Sequence, residues 1–255
     1  MIEQALGVPV VQHDDGSAPR MYDLKILHDG RPPAAVEAVA AADPGSIELW
    51  NLLNSGDRWL AEGIEGGWMV ALDPLIARAR RIERELPDLL AQLEKLEIRE
   101  VRPRRRRGAL DDVASDLGIV SAGQSGTDFP GSIYITLQLA AERSGGFVAD
   151  TGDALASWLG QFLNEPKQKD VRDKLASSGA PERHAFVYLP GFTTAPFSAS
   201  DLLMRDGAPL PVEGPRLPDA VTHVWAVSTW SSGAGFRWSP EDGWAKFAKT
   251  VPTAG

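Results

Sequence analysis

Met21-Tyr22-Asp23-Leu24-Lys25-Ile26-Leu27, then His28-Asp29-Gly30-Arg31-Pro32-Pro33, then Ala34-Ala35-Val36-Glu37-Ala38-Val39 is the stretch that decides the fold. Two short apolar runs flank a segment rich in glycine, proline and aspartate, the pattern of a β-hairpin. Each strand carries one carboxylate, Asp23 on the first and Glu37 on the second. With the turn near Gly30, these residues fall close to opposite one another on neighbouring strands. A carboxylate in an apolar strand is costly to bury unless it is paired or holds a cation. Two side by side repel unless a proton or a divalent cation lies between them. Mg²⁺ suits this donor set, because it takes one or two carboxylates, several waters and substrate phosphate oxygens. Such an ion activates water and stabilises the leaving oxygen in phosphodiester cleavage. The plainer alternative makes Asp23 an edge-strand charge that discourages edge pairing, with Glu37 paired to Lys25 or Arg31.

Outward from the hairpin, strand and helix signals alternate. Residues 2–8 form a short helix candidate, and Ile47, Leu49, Trp50 and Leu53 give a second after Asp43-Pro44-Gly45-Ser46. Trp68–Leu72 reads as a strand. In the segment 75–97, Leu75, Ala79, Ile82, Leu86, Leu89, Leu93 and Leu96 repeat at helical spacing. Pro87 is expected to kink or divide that helix. It is expected to pack on its own sheet, with a homo-oligomeric helix pair as the alternative. Further helices are expected around 110–117, 153–164 and 170–177, and strands over 132–137, 183–189 and 222–227. Interspersed elements of this kind predict an α/β domain, a mixed central sheet with flanking helices. The expected division is a core over 1–100, a connector over 101–131, and remaining strands and helices over 132–255 in the same domain.

The order helix, strand with aspartate, turn, strand with glutamate, helix, strand resembles the core of the PD-(D/E)XK nuclease superfamily, the restriction-endonuclease-like fold. The matching pieces are Ile2–Leu6, Tyr22–Leu27, Val36–Val39, Ser46–Leu53 and Trp68–Leu72. The resemblance implies a Mg²⁺- or Mn²⁺-dependent nuclease in a bacterial defence or DNA-processing setting, with metal ligation by Asp23 and Glu37. Glu3 matches an acidic residue that many members carry on the first helix. Two positions depart from the pattern. Tyr22 stands where the family has proline, and Val39 stands where the catalytic lysine of Glu-x-Lys would be. Such a lysine orients water and stabilises developing negative charge. Lys25, two residues after Asp23, points to the same face of its strand and is the candidate substitute. The alternative is a non-catalytic interaction protein that keeps the fold without the lysine.

Composition sets the outer bounds. The chain has 255 residues, 43% of them hydrophobic, with eight tryptophans, enough for a real core. It has no cysteine, which excludes disulfides, thiolate metal sites and cysteine nucleophiles. No apolar run is long enough for a transmembrane helix and the first residues lack the order of a signal peptide, so a cytoplasmic location is the expectation. The formal net charge of −9 argues against a protein that coats nucleic acid. Arg102, Arg104, Arg105, Arg106 and Arg107 are the local exception, a phosphate-contacting loop or a solvated linker. His13-Asp14-Asp15 reads as a metal cluster or a set of turn caps. His184 and His223 each open a strand, as a base or as a histidine held by a neighbouring carboxylate. Thr229-Trp230-Ser231-Ser232-Gly233 with Phe236-Arg237-Trp238 reads as a binding rim, or Trp225, Trp230, Trp238 and Trp244 as one C-terminal aromatic cluster.

Overall fold

The computed structural model describes all residues except 55–58, 104–107, 126–128, 139–144, 147, 230–231 and 250–255. The chain has an α/β fold with two compact units, one of residues 1–42 with 141–255 and one of residues 43–140. This division differs from the one expected from sequence. The second unit is inserted directly after the hairpin's second strand, and the long amphipathic helix belongs to it.

In the first unit, α1 (Ile2–Leu6) leads into β1 (Val10–Gln12), β2 (Leu24–Ile26) and β3 (Ala34–Ala40), an antiparallel meander. The chain returns from the insertion through α5 (Asp153–Asn164) and α6 (Lys169–Ser177) to β9 (Arg183–Leu189), which pairs parallel with β3. Then α7 (Phe197–Met204) crosses to β10 (His223–Ser228), parallel to β9, and β11 (Gly235–Ser239) and β12 (Gly243–Phe247) finish the sheet antiparallel. The sheet has seven strands in the order β1-β2-β3-β9-β10-β11-β12.

Alternation along the strands sends residues to two separate cores. Ala35, Ala185, Val187, Val224, Ala226 and Phe236 face α5, α6 and α7, where Leu155, Leu159, Phe162, Leu175 and Leu202 are buried. Each such large side chain contributes about 1.5–3 kcal/mol relative to exposure. Ile26, Ala34, Val36, Trp225 and Val227 face the other way, under Ile2 of α1 and Phe247. The expected C-terminal aromatic cluster is therefore divided. Trp225 belongs to the α1 side and Trp238 and Trp244 to the other, while Trp230 lies outside the described residues.

In the second unit, α2 (Pro44–Asn54), β4 (Trp59–Leu60), β5 (Gly67–Leu72), α3 (Ala79–Lys95), β6 (Glu100–Val101), α4 (Ala109–Asp116), β7 (Ile119–Ser125) and β8 (Ser132–Leu137) follow one another. Its sheet has five strands in the order β4-β8-β5-β7-β6. Residues 46–53 and 68–72, matched above to the later pieces of the nuclease core, thus fold here and add nothing to the hairpin's sheet. The helix α3 runs through Pro87 without a break and buries Ile82, Leu86, Leu89, Leu90 and Leu93 inside its own unit. Gly118 turns the chain from α4 into β7 at φ +79°, and a Cβ there would lie 2.7 Å from the Ala77 nitrogen. Gly118→Ala is expected to cost at least about 2 kcal/mol, read as a lower urea midpoint, since left-handed backbone and backbone overlap both oppose it.

Candidate active site

The hairpin register pairs Leu24 with Val36 and Ile26 with Ala34, which continues to set Asp23 opposite Glu37. Both side chains then leave the sheet on the face covered by α6. The strand β2 lies inside the sheet between β1 and β3, so Asp23 is not an edge-strand charge. The two carboxylates lace the strands together. Glu37 Oε2 accepts from the Asp23 backbone N–H at 3.2 Å, and Asp23 Oδ2 accepts from the Ala38 N–H at 2.7 Å. The Asp23 carbonyl accepts from the N–H groups of His13 and Asp14 at 2.7 and 3.2 Å. That places the His13-Asp14-Asp15 turn at the rim. The Asp14 and Asp15 side chains cap the turn by accepting from Gly16 and Ser17, and the His13 ring packs on Tyr22 at 4.1 Å.

Glu37 is only 4% exposed, and its direct partner is Lys174. The Lys174 Nζ donates to Glu37 Oε1 at 2.7 Å and lies 3.7 Å from Asp170. Burial pushes the Glu37 carboxyl above the usual range, the Asp23 charge adds to the rise, and Lys174 opposes it. The bond to Glu37 raises the Lys174 amine, and the two side chains form an ion pair. The amine reaches this place because α6 turns its Val171–Leu175 face to the sheet, and both residues are buried. Lys174 sits on the same stripe, three after Val171 and next to Leu175. Gly179, at φ +65°, then ends the helix in a left-handed conformation.

Nothing in the hairpin's own sequence points to Lys174, which lies 137 residues from Glu37 in the chain. Its signal was a lysine on the apolar stripe of an amphipathic helix. Val39, two residues after Glu37, shares its face and packs on the core with α5–α7. Lys25 has no contact with Glu37 among the described bonds, and Arg31 pairs with Glu182 instead. Glu3 lies with α1 on the opposite face, where its Oε2 accepts from the Val10 N–H at 2.9 Å. Its helix borders a groove of about 1000 Å³ with Leu24, Ala38 and Phe186. Arg102, in the second unit, pairs with Glu100, and Arg104–Arg107 lie outside the described residues.

The donor set around Asp23 and Glu37 suits a hard cation. Asp23, Glu37 and Asp170 surround a single amine, Lys174, and carboxylate oxygens that each accept one hydrogen bond keep a free lone pair. A separate metal-capable group exists on the other face of the sheet. Glu182, His184 and His223 each offer a ligand atom, all within 4.8 Å of one another. Both histidines stand beside a carboxylate, His184 3.6 Å from Glu182 and His223 3.7 Å from Glu241. No helix among the described residues is long and apolar enough to cross a membrane. No family model, curated protein or solved structure matches this chain.

Proposed function

We propose that the first unit is a Mg²⁺- or Mn²⁺-dependent phosphodiesterase of the PD-(D/E)XK type that cleaves nucleic acid. The observation that carries this is the Lys174 amine 2.7 Å from Glu37, on the sheet face where Asp23 stands opposite. It supplies, from α6, the cation that Val39 does not. The order of elements supports the same assignment: a helix, three antiparallel strands, helices, and a strand parallel to the third. Residues 43–140 form a separate unit between β3 and the helices that precede β9, so under this reading the core resumes after them.

Asp23 and Glu37 would hold the ion, whose chemistry when bound is to polarise a phosphate oxygen and acidify a water. Hydrogen bonds to the Asp23 and Ala38 N–H groups fix both carboxylates before anything binds. That rigidity suits a site whose ligands must be in place in advance. Lys174 opposes the effect of burial on Glu37, and its remaining protons can donate to a substrate phosphate as charge builds there. Asp23→Ala and Glu37→Ala are each expected to lower cleavage of single- or double-stranded DNA or RNA in Mn²⁺ by about 100-fold or more. Equal cleavage by wild type and both variants would remove the assignment. An absence of cleavage by wild type on every substrate, together with tight binding of one of them, would favour the non-catalytic interaction protein.

A further inference from the structure

Beside Asp23, the side chains of Arg20 and Lys25 form no hydrogen bond and no ion pair with the described residues. Resting on the cleavage site assigned above, we propose that Arg20 and Lys25 are its flanking phosphate contacts. The substrate is then a polynucleotide strand laid along β2, with one phosphate held on each side of the cleaved one. Lys25 pairs with Ala35, which belongs to the core under α5–α7, so Lys25 leaves the sheet on the same face as Asp23. The two residues are about 6–7 Å apart along the strand, close to the spacing of successive phosphates in one nucleic-acid strand. Val11, opposite Lys25 on β1, is 41% exposed, while α6 packs over β3 and β9. On this face β1 and β2 form an open shelf beside that helix.

Arg20 stands on the other side of Asp23, exposed in the loop from β1 to β2. The His13 and Asp14 N–H groups bind the Asp23 carbonyl, which folds that loop back onto the site. The Arg20 charge reaches α6. The Asp173 carboxyl is held below its usual range by the bond to Lys169 first and by Arg20 as a lesser cause, and Asp173 is the residue next to Lys174. Arg20 also has a left-handed backbone, at φ 62°, where a side chain carries a steric cost that glycine avoids. Gly16, four residues earlier, takes the same conformation at φ 75° without that cost. An arginine kept in a strained position beside a site points to a use for its side chain. The planar guanidinium fork suits bidentate contact with a phosphate. The acidic groups nearby are engaged: Asp173 by Lys169, Asp170 by Lys174 at 3.7 Å, and Asp14 and Asp15 by the N–H groups of their turn.

Binding of a fluorescein-labelled, cleavage-resistant phosphorothioate DNA strand to the full-length chain in Mn²⁺ tests this, read by fluorescence anisotropy over a range of salt. Wild type is expected to bind, with an affinity that falls as salt rises. Arg20→Gln and Lys25→Gln are each expected to weaken binding about tenfold and to reduce the slope of log affinity against log salt by about 0.7. A residue with a merely structural role would not move that slope. Arg20→Gly relieves the backbone, so it is expected to keep at least the wild-type urea midpoint while losing affinity as Arg20→Gln does. No binding by wild type would overturn the proposal, as would variants that match wild type in affinity and salt slope. Reduced slopes in both variants, with no cleavage of ordinary DNA or RNA by wild type, would support the phosphate track and count against the cleavage assignment alone.

Discussion

Replacing Lys174 with methionine is expected to destabilise the chain by about 3 kcal/mol near neutral pH, because it strips a buried carboxylate of its counter-charge. The loss should depend on pH in a definite direction. The folded-state pKa of Glu37 is already raised, by burial first and by Asp23 second, and removing Lys174 raises it further. A raised carboxyl binds its proton more tightly in the folded chain, so its contribution is fully present below the unfolded value. That contribution is lost as pH rises through the folded value, by up to about 1.4 kcal/mol per pH unit. The gap between Lys174→Met and wild type should therefore narrow as the solution is acidified. Adding Glu37→Gln to Lys174→Met should recover most of the stability and remove the pH dependence, without restoring cleavage. Urea midpoints for the three proteins between about pH 4.5 and pH 8 check this. A gap that widens on acidification would show that Lys174 acts on some group other than Glu37.

In the second unit, the largest expected effect lies at Glu94. Its carboxylate accepts from the Glu65 N–H at 2.7 Å, the Gly66 N–H at 3.0 Å, the Trp68 indole at 2.8 Å and the Gln124 amide at 3.0 Å. One side chain of α3 thus ties the turn before β5 to β5 and β7. Burial pushes its carboxyl up, but the four donors together outweigh burial and hold it below the usual carboxylate range. Glu94→Ala leaves those donors without an acceptor and is expected to cost about 3 kcal/mol, and Glu94→Gln about half of that. Here the sign is opposite to that of Glu37. The folded pKa is depressed, so the contribution is present above the unfolded value and lost as pH falls through the folded one. Hydrogen exchange should show β5 and β7 amides losing protection in Glu94→Ala while β9 and β10 keep theirs. Undiminished protection in β5 and β7 would mean that the carboxylate is dispensable.

Much of the local structure was legible in the sequence because it rests on local signals. Alternation and the glycine turn placed Asp23 opposite Glu37, and the apolar spacing of residues 82–93 fixed the buried face of α3. The register then follows from the turn, since a one-residue slip would turn every side chain to the other face. What stayed hidden depends on contacts distant in sequence. The partner of β3 is β9, and Ala35 pairs with Arg183 across the whole inserted unit. Nothing in a seven-residue apolar strand names the strand it will lie beside. Trp68–Leu72 is the next strand in the chain, yet it pairs in the other sheet and not with β3. Lys174 was invisible for the same reason, although its position between Val171 and Leu175 marked it as a lysine facing inward. Pro87 was expected to interrupt α3, yet the helix continues, held by the burial of Leu86, Leu89 and Leu90 on either side. The strands β11 and β12 carry no clear signal in the sequence, because their turn at Gly243 lies among alternating large and polar residues that also suit a loop.

Under the proposed function, Asp23, Glu37 and Lys174 act as one metal-dependent cleavage site. Single-turnover cleavage of end-labelled DNA and RNA in Mn²⁺ tests it most directly, comparing wild type with Lys174→Met/Glu37→Gln, the variant expected to stay folded. The expected result is cleavage by wild type that requires the ion, and a rate at least about 100-fold lower for the double variant. Cleavage at the wild-type rate by that variant, or wild-type cleavage that chelation leaves intact, would contradict it.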